Sequence, residues 1–400
     1  MASLSVLQIL RTIKERNTIS RTELQQLTKL SWGTITNTTR DLLNRNLIRE
    51  EGALKTKAGR KPVCLSINPS SHSLIGVDLA PHIIRCVALN LGGETLWQAQ
   101  RQYDMSLKPE EVLDLIVELV QEALAQPVMT PRMCLGVGVA APGAINIKAG
   151  VMHFAPQMPG WLNVPLRAYL QSRLGVNVLL EHDPKCLALA ERWFGAAAAA
   201  DDILCINLSN GIGMGILLDG EIYRGAQEMA GEFGHITVDP NGPPCACGDR
   251  GCLEALCSIS AVVDAVRTQP QKQSDAIKTI FKTRAPSVAE LVTAAQQHDL
   301  AVCEAFQRMG YYLGIGVANL IDLFNPTLVV LCGPMAQASE FYLPVMDQEV
   351  QKHAWKHSSK QTIISTLGQQ AIAIGACGIV LQSLFEHDAL TVGEGEAAKA

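Results

Sequence analysis

The sequence predicts an α/β chain in which a small basic head of three helices precedes a body of two similar α/β lobes. Three observations carry this reading. Positive charge is concentrated at the start, a strand–turn–strand pattern occurs twice, and a loop holding one histidine and three cysteines interrupts the second copy. Residues 1–62 carry 12 Lys+Arg against 5 Asp+Glu, a net +7, whereas the remainder carries 21 basic and 33 acidic residues, a net −12. A basic head on an acidic body points to a polyanionic partner for the head.

The head is read element by element. Val6, Ile9, Leu10 and Ile13 follow i, i+3, i+4, i+7 spacing and lay one apolar stripe along a first helix. Ser20-Arg21-Thr22-Glu23 is a capping box that opens a second, short helix with Leu24 and Leu27 inward. A turn near Leu30-Ser31 starts a third helix with Ile35, Thr39, Leu42 and Leu43 on one face. Trp32, Thr34, Asn37, Thr38 and Arg40 then stand on the other, where hydrogen-bonding side chains suit base-edge and phosphate contact. β-prone stretches at Leu47–Glu50 and Pro62–Ile67, separated by 52–60, complete a winged helix-turn-helix over residues 1–70. Lys55, Lys57, Arg60 and Lys61 are the phosphate contacts expected of the wing; Arg60 also suits a minor groove, and a solvated loop needs none of these roles.

Beyond residue 70 the chain resembles itself. Ile75–Leu79 and Ile83–Asn90 are strands ending in the turn Leu91-Gly92-Gly93-Glu94, and Ile203–Leu208 and Ile212–Leu218 end in Asp219-Gly220-Glu221. A helix over Glu110–Leu124 and parallel-type strands at Cys134–Val139 and Val176–Leu180 follow the first copy. The expected lobes are residues 71–183 and 184–386, with the final helix able to return to the first lobe, and 387–400 as a flexible tail. Two like lobes with a cleft between them suit ligand binding. Residues 268–287 read as a polar surface excursion, and Tyr311–Phe324 as an apolar helix of core or subunit interface.

Gly231-Glu232-Phe233-Gly234-His235, then Cys245-Ala246-Cys247-Gly248 and Gly251-Cys252-Leu253-Glu254, is the densest chemistry in the chain. His235, Cys245, Cys247 and Cys252 form a Cys₃His set, a closed zinc type. Pro243-Pro244, Gly248 and Gly251 break regular structure there, leaving a loop that needs a staple. Glu232 and Glu254 would be drawn together by the metal. The other eight cysteines sit mostly in apolar runs and read as reduced core thiols. With 48% hydrophobic residues, no long apolar run and no signal-peptide pattern, the chain reads as soluble and cytoplasmic, without membrane insertion.

The winged head, duplicated lobes, His–Cys₃ loop and Gly211-Ile212-Gly213-Met214-Gly215 together resemble the ROK family of repressors, open reading frames and sugar kinases, over residues 1 to about 385. The likeness is to the repressor branch, which includes glucose- and N-acetylglucosamine-responsive regulators. It implies a two-lobe actin/hexokinase-like (ribonuclease-H-like) ATPase fold, a structural zinc and a homodimer or homotetramer.

The resemblance also assigns roles. Asp183 matches the catalytic aspartate of the kinases, but the position before it, usually asparagine, is His182. The first phosphate loop becomes Asp78-Leu79-Ala80-Pro81-His82, where Pro81 donates no amide hydrogen and Ala80 adds a Cβ. The second, Ser209–Gly215, keeps Gly211, Gly213 and Gly215 without the usual first Gly-Thr, and the adenosine-side Gly-Gly is reduced to Gly333-Pro334. Each change costs about 1–3 kcal/mol in phosphate binding, so kinase activity is not expected. Sugar contacts, by the same resemblance, are His182, Asp183, Glu232, His235 and Glu254, carboxylates suiting vicinal hydroxyls. Trp161, in Pro159–Asn163, lies either near the pocket or in plain core.

The expected function is a sugar-responsive transcriptional regulator, more commonly a repressor, that binds a double-stranded DNA operator and senses a sugar or sugar phosphate. Two rivals stand beside it: an ATP-dependent sugar kinase with a fused head, and a regulator whose body binds a transporter protein.

Overall fold

The Ser20 hydroxyl accepts a hydrogen bond from the Glu23 amide while the Glu23 carboxylate accepts one from the Ser20 amide, so the capping box closes as its sequence requires. It opens α2 (Arg21–Thr28), which follows α1 (Ala2–Arg16) and the short β1 (Ile19–Ser20). Ser31 caps α3 (Trp32–Asn44) by accepting from the Thr34 amide. β2 (Ile48–Glu51) and β3 (Cys64–Ile67) pair antiparallel, and β1 adds to β3, giving the order β1-β3-β2. Ile9, Leu10, Ile13, Leu24, Ile35, Leu42 and Leu65 close one core at about 1.5–3 kcal/mol per side chain. Leu27, expected inward, is 47% exposed, because the eight-residue α2 turns Leu24 and Thr28 to the core instead.

The computed structural model describes residues 2–51, 63–129, 133–198, 200–355 and 361–386. Lys55, Lys57, Arg60 and Lys61, and the expected tail 387–400, lie outside the described residues.

The chain falls into two compact units, the first of which includes the head. The first holds β4 (His72–Ala80), β5 (Ile83–Asn90), β6 (Thr95–Gln102), α4 (Pro109–Leu124), β7 (Met133–Ala141), the small antiparallel set β8 (Ala144–Asn146), β9 (Val151–Phe154) and β10 (Leu162–Val164), then α5 (Leu166–Leu174), β11 (Val178–His182) and α6 (Asp183–Phe194). Its main sheet has the order β11-β7-β4-β5-β6, antiparallel in the β4–β5–β6 meander and parallel in β4, β7 and β11.

The second unit holds β12 (Ile203–Leu208), β13 (Ile212–Leu218), β14 (Glu221–Ile222), α7 (Leu253–Cys257), α8 (Ile259–Arg267), α9 (Asp275–Phe281), α10 (Val288–Gln296), α11 (Leu300–Phe324), β15 (Leu328–Cys332), α12 (Ser339–His353) and β16 (Gln361–Ile364). Its sheet, β14-β13-β12-β15-β16, repeats the pairing of the first strand for strand: an antiparallel meander on one side of the leading strand and two parallel strands on the other. The duplication legible in the sequence is therefore a duplication of topology.

One boundary differs from the sequence reading: α6 belongs to the first unit, not to a second lobe beginning at 184. α13 (Ala371–Glu386) returns to that unit, the alternative the sequence left open. Glycine-mediated packing explains both. A Cβ on Gly375 of α13 would overlap the carbonyl oxygen of Cys186 in α6, and Cβ atoms on Gly76 and Gly138 would overlap the Ala373 and Ala376 carbonyls. α13 is thus wedged between the sheet and α6 with backbones in direct contact. Residues 268–287, expected as a polar excursion, contain α9, whose Ile277 is buried against the second unit's core. Among the described residues, no helix is long and apolar enough to cross a membrane.

Candidate metal centre and polar sites

Sterics dictate the course of Gly231–His235. A Cβ on Gly231, whose φ is 106°, would overlap the Met214 carbonyl, and one on Gly234 would overlap that of Ile212. The segment can therefore lie flat against β13, burying Phe233 and turning His235 outward at the end of a short 3₁₀ turn. Glu232 is exposed beside it. Downstream, the Gly248 amide donates to the Cys245 carbonyl at 3.0 Å and the Cys245 amide to the Asp249 carbonyl at 2.8 Å, a tight knuckle that Gly248 enters at φ 99°. Gly251, at φ 65°, has no room for a Cβ beneath the Asp239 carbonyl. Tyr312 of α11 donates its hydroxyl to Asp239 at 3.0 Å, tying the loop to the longest helix of its unit.

This backbone brings one ligand atom from each of His235, Cys245, Cys247 and Cys252 within 4.8 Å of one another. Cys247 and Cys252 sulfurs are 3.7 Å apart, and the Cys245 sulfur lies 3.8 Å from His235 Nδ1. A disulfide needs about 2.05 Å, whereas two tetrahedral Zn–S bonds of 2.3 Å place their sulfurs about 3.8 Å apart. Desolvation and the neighbouring cysteine sulfurs push the Cys252 thiol up to about 12, a crowding that a bound dication relieves. The donor set, its spacing and this crowding all fit a metal ion.

Glu254 stands in the first turn of α7, two residues after Cys252, and its Oε2 accepts the Ile212 amide at 2.9 Å. The knuckle is thereby connected to the glycine-rich β12–β13 hairpin, a bond that spacing alone did not reveal. Gly211 lies in that hairpin's turn, while Gly213 and Gly215 sit within β13 opposite Asn207 and Cys205. Gly333, at φ 85°, abuts the Asn207 side chain and the Leu208 carbonyl with no space for a Cβ, so packing alone demands glycine there.

In the first unit, β11 runs to His182, two residues further than expected, and Asp183 is the first residue of α6. Burial, followed by the charges of Glu181, Asp183 and Asp78, drives the Cys186 thiol far above its ordinary range. Asp78 is buried and receives the Arg85 guanidinium at 2.9 Å. Burial raises the Asp78 carboxyl to about 6, with Arg85 opposing the rise. The sequence contained the signal for this pair: a two-residue turn at Pro81-His82 places 85 directly across from 78. Trp161 is buried in the first unit's core, one of the two readings open from sequence.

On the head, Trp32 is 50% exposed, Asn37 and Arg40 are exposed and joined by a 2.8 Å hydrogen bond, and Thr34 and Thr38 are half-buried on the same side of α3.

The chain is similar to known proteins over most of its length. The ROK family pattern matches residues 74–383. The xylose repressor of Bacillus subtilis (strain 168) is 29% identical over 380 residues, covering 94% of this chain and 95% of its own. The DNA-binding transcriptional dual regulator NagC of Escherichia coli (strain K12) is 28% identical over 397 residues, covering 95% of each. Among solved structures, a ROK family transcriptional regulator homologous to the E. coli MLC protein superposes with a TM-score of 0.80 at 26% identity, over 96% of both chains. A ROK family glucokinase from Streptomyces griseus, in complex with glucose and AMPPNP, gives 0.67 at 27% identity over 78% of this chain and 99% of its own. With its duplicated sheets, its head and the match across most of its length, the chain belongs to the ROK family.

Proposed function

We propose that the chain is a sugar-responsive, DNA-binding transcriptional regulator that acts as a repressor. The observation that carries this is a difference in coverage. The regulator structure spans 96% of the chain, the glucokinase 78%, and the family pattern begins only at residue 74. What the enzymes lack corresponds in size to the basic three-helix head. In this reading the head is a winged helix-turn-helix whose α3 enters the major groove, with Trp32, Thr34, Asn37, Thr38 and Arg40 at the DNA and Lys55, Lys57, Arg60 and Lys61 on phosphates. Two heads of a homodimer or homotetramer meet a palindromic operator in the cytoplasm.

The body senses a sugar or sugar phosphate; xylose and N-acetylglucosamine, named by the relatives, are the first to test. By the family resemblance, His182, Asp183, Glu232, His235 and Glu254 are the side chains that take its hydroxyls. Zinc occupies the His235–Cys245–Cys247–Cys252 set. With Nδ1 on the cysteine side, the metal fixes the imidazole's orientation and leaves Nε2 for a hydroxyl. Phosphoryl transfer is not part of this reading, because Arg85 already engages Asp78 and Pro81 removes an amide from the first loop.

The test is DNA binding by the full chain and by a chain lacking residues 1–70. Salt-sensitive binding that disappears on deletion is expected. Binding that survives the deletion unchanged would overturn the reading.

A further inference from the structure

The helix that begins at Asp183 ends against the head. α6 is twelve residues long, about 18 Å of stiff rod, and it is buried from Lys185 to Trp193. Its last carbonyls have no partner within the helix. One of them, on Trp193, accepts the ammonium of Lys14 from α1. The same Nζ lies 4.3 Å from the centroid of the Phe194 ring. One residue away on each helix, the Arg192 guanidinium is 3.8 Å from the Glu15 carboxylate.

The slot that receives Lys14 is closely built. Its third wall is the β5–β6 turn, where a Cβ on Gly93 would stand 2.6 Å from the Phe194 ring and 3.5 Å from Lys14 Nζ. Burial lowers the Lys14 ammonium to about 8. A lysine desolvated to this degree is a built contact rather than a surface side chain that happens to lie nearby.

Nothing between the two ends of α6 can absorb a displacement easily. Gly375 brings α13 onto the Cys186 carbonyl, and Gly378 faces Leu189 and Trp193, so α6 and α13 form one block along their length. α1 packs on α13 and reaches the end of α6 through Lys14 and Glu15. A tilt imposed at the His182–Asp183 end therefore arrives at Trp193 and Phe194 largely undiminished.

We propose that Lys14, supported by the Glu15–Arg192 pair, is the positioning contact through which a ligand at the Asp183 end of α6 changes the pose of the DNA-binding head. The inference rests on the functional reading above. Without ligand, the ammonium holds α1 against the end of α6 and sets the head for DNA. A ligand that shifts the first turn of α6 moves the Trp193 carbonyl away from Lys14 and releases the head. The shift needs only a ligand that favours one of the two helix positions.

The test uses the full chain, a DNA duplex selected from a random pool by the wild type, and whichever of D-xylose, D-glucose, N-acetylglucosamine or their 6-phosphates raises the wild-type melting temperature most. Lys14→Met keeps the aliphatic stem and removes the ammonium. Glu15→Gln, at a solvent-facing position, is the second variant should Lys14→Met fold poorly. Each is expected to gain the same thermal shift from the sugar as the wild type. Each is also expected to lose most of the sugar's effect on DNA affinity, from about tenfold or more to less than about threefold. A wild-type-sized response in both variants, or a lost thermal shift in both, overturns the proposal. Failure of the functional reading shows in the wild type itself, which would then select no DNA or gain no stability from any sugar, and takes this inference with it.

Discussion

Glu254 accepts the Ile212 amide at 2.9 Å, so the cysteine knuckle and the glycine-rich hairpin of the second unit form one connected structure. A carboxylate placed two residues after Cys252 thus also fixes the turn of the β12–β13 hairpin. Glu254→Ala is expected to cost about 1.5–3 kcal/mol of stability, the range for a hydrogen bond to a charged group, and to weaken sugar binding as well. Urea unfolding and titration calorimetry read the two effects. Unchanged stability would mean that the bond is not maintained in solution.

The metal centre predicts one zinc ion per chain by emission spectrometry. Cys252→Ser, at the buried ligand, is expected to lose the ion and lower the melting temperature, and a chelator should lower the wild-type value in the same way. His235→Ala is expected to lose both zinc and sugar response. Full zinc content with a full sugar response in that variant would sink the shared role of the imidazole.

Gly234 predicts a steric penalty independent of any ligand. Gly234→Ala would drive a methyl group into the Ile212 carbonyl, at a cost of about 2 kcal/mol or more. A denaturation midpoint equal to that of the wild type would show that β13 can yield.

Asp78 predicts a specific pH dependence. Its carboxyl ionises near 6 in the fold and at the ordinary 3.8 when unfolded, so the folded chain holds the proton more tightly. The stability it contributes is complete below about pH 4 and is lost as pH rises through about 6, by up to about 3 kcal/mol. Asp78→Asn should remove this slope, measured as the difference between variant and wild type in urea unfolding from pH 4.5 to 7. A variant with the same slope would move the titration to another group.

On the head, Asn37→Ala and Arg40→Ala are each expected to weaken DNA binding by about 1–3 kcal/mol, without altering sugar-induced thermal shifts. Electrophoretic or anisotropy titrations at two salt concentrations separate base from phosphate contact, since only the loss of a phosphate contact flattens the salt dependence.

Legibility followed the range of the interactions. The Ser20 capping box, the strands Ile83–Asn90, Ile203–Leu208 and Ile212–Leu218, and the His–Cys₃ cluster that could hold a metal are local in sequence, and each could be read from spacing. The Asp78–Arg85 pair was also within reach, because hairpin register follows from a two-residue turn. Leu27 misled because one short helix offers too few residues to fix its apolar face. α9 was missed because the i, i+3, i+4 spacing of Ile277, Ile280 and Phe281 fills only seven residues inside an otherwise polar stretch.

The sequence by itself determined the basic head, the doubled strand pattern, the Cys₃His set and a proline without an amide hydrogen, Pro81, in the turn after β4. Only the tertiary structure decided that α6 and α13 belong to the first unit, that Glu254 is engaged by Ile212, and that Lys14 caps the far end of the helix begun by Asp183. The physical reason is the same in each case. These contacts depend on glycines that let backbones touch and on pairings across 42 and 179 residues of chain, and neither leaves a periodic trace in the sequence.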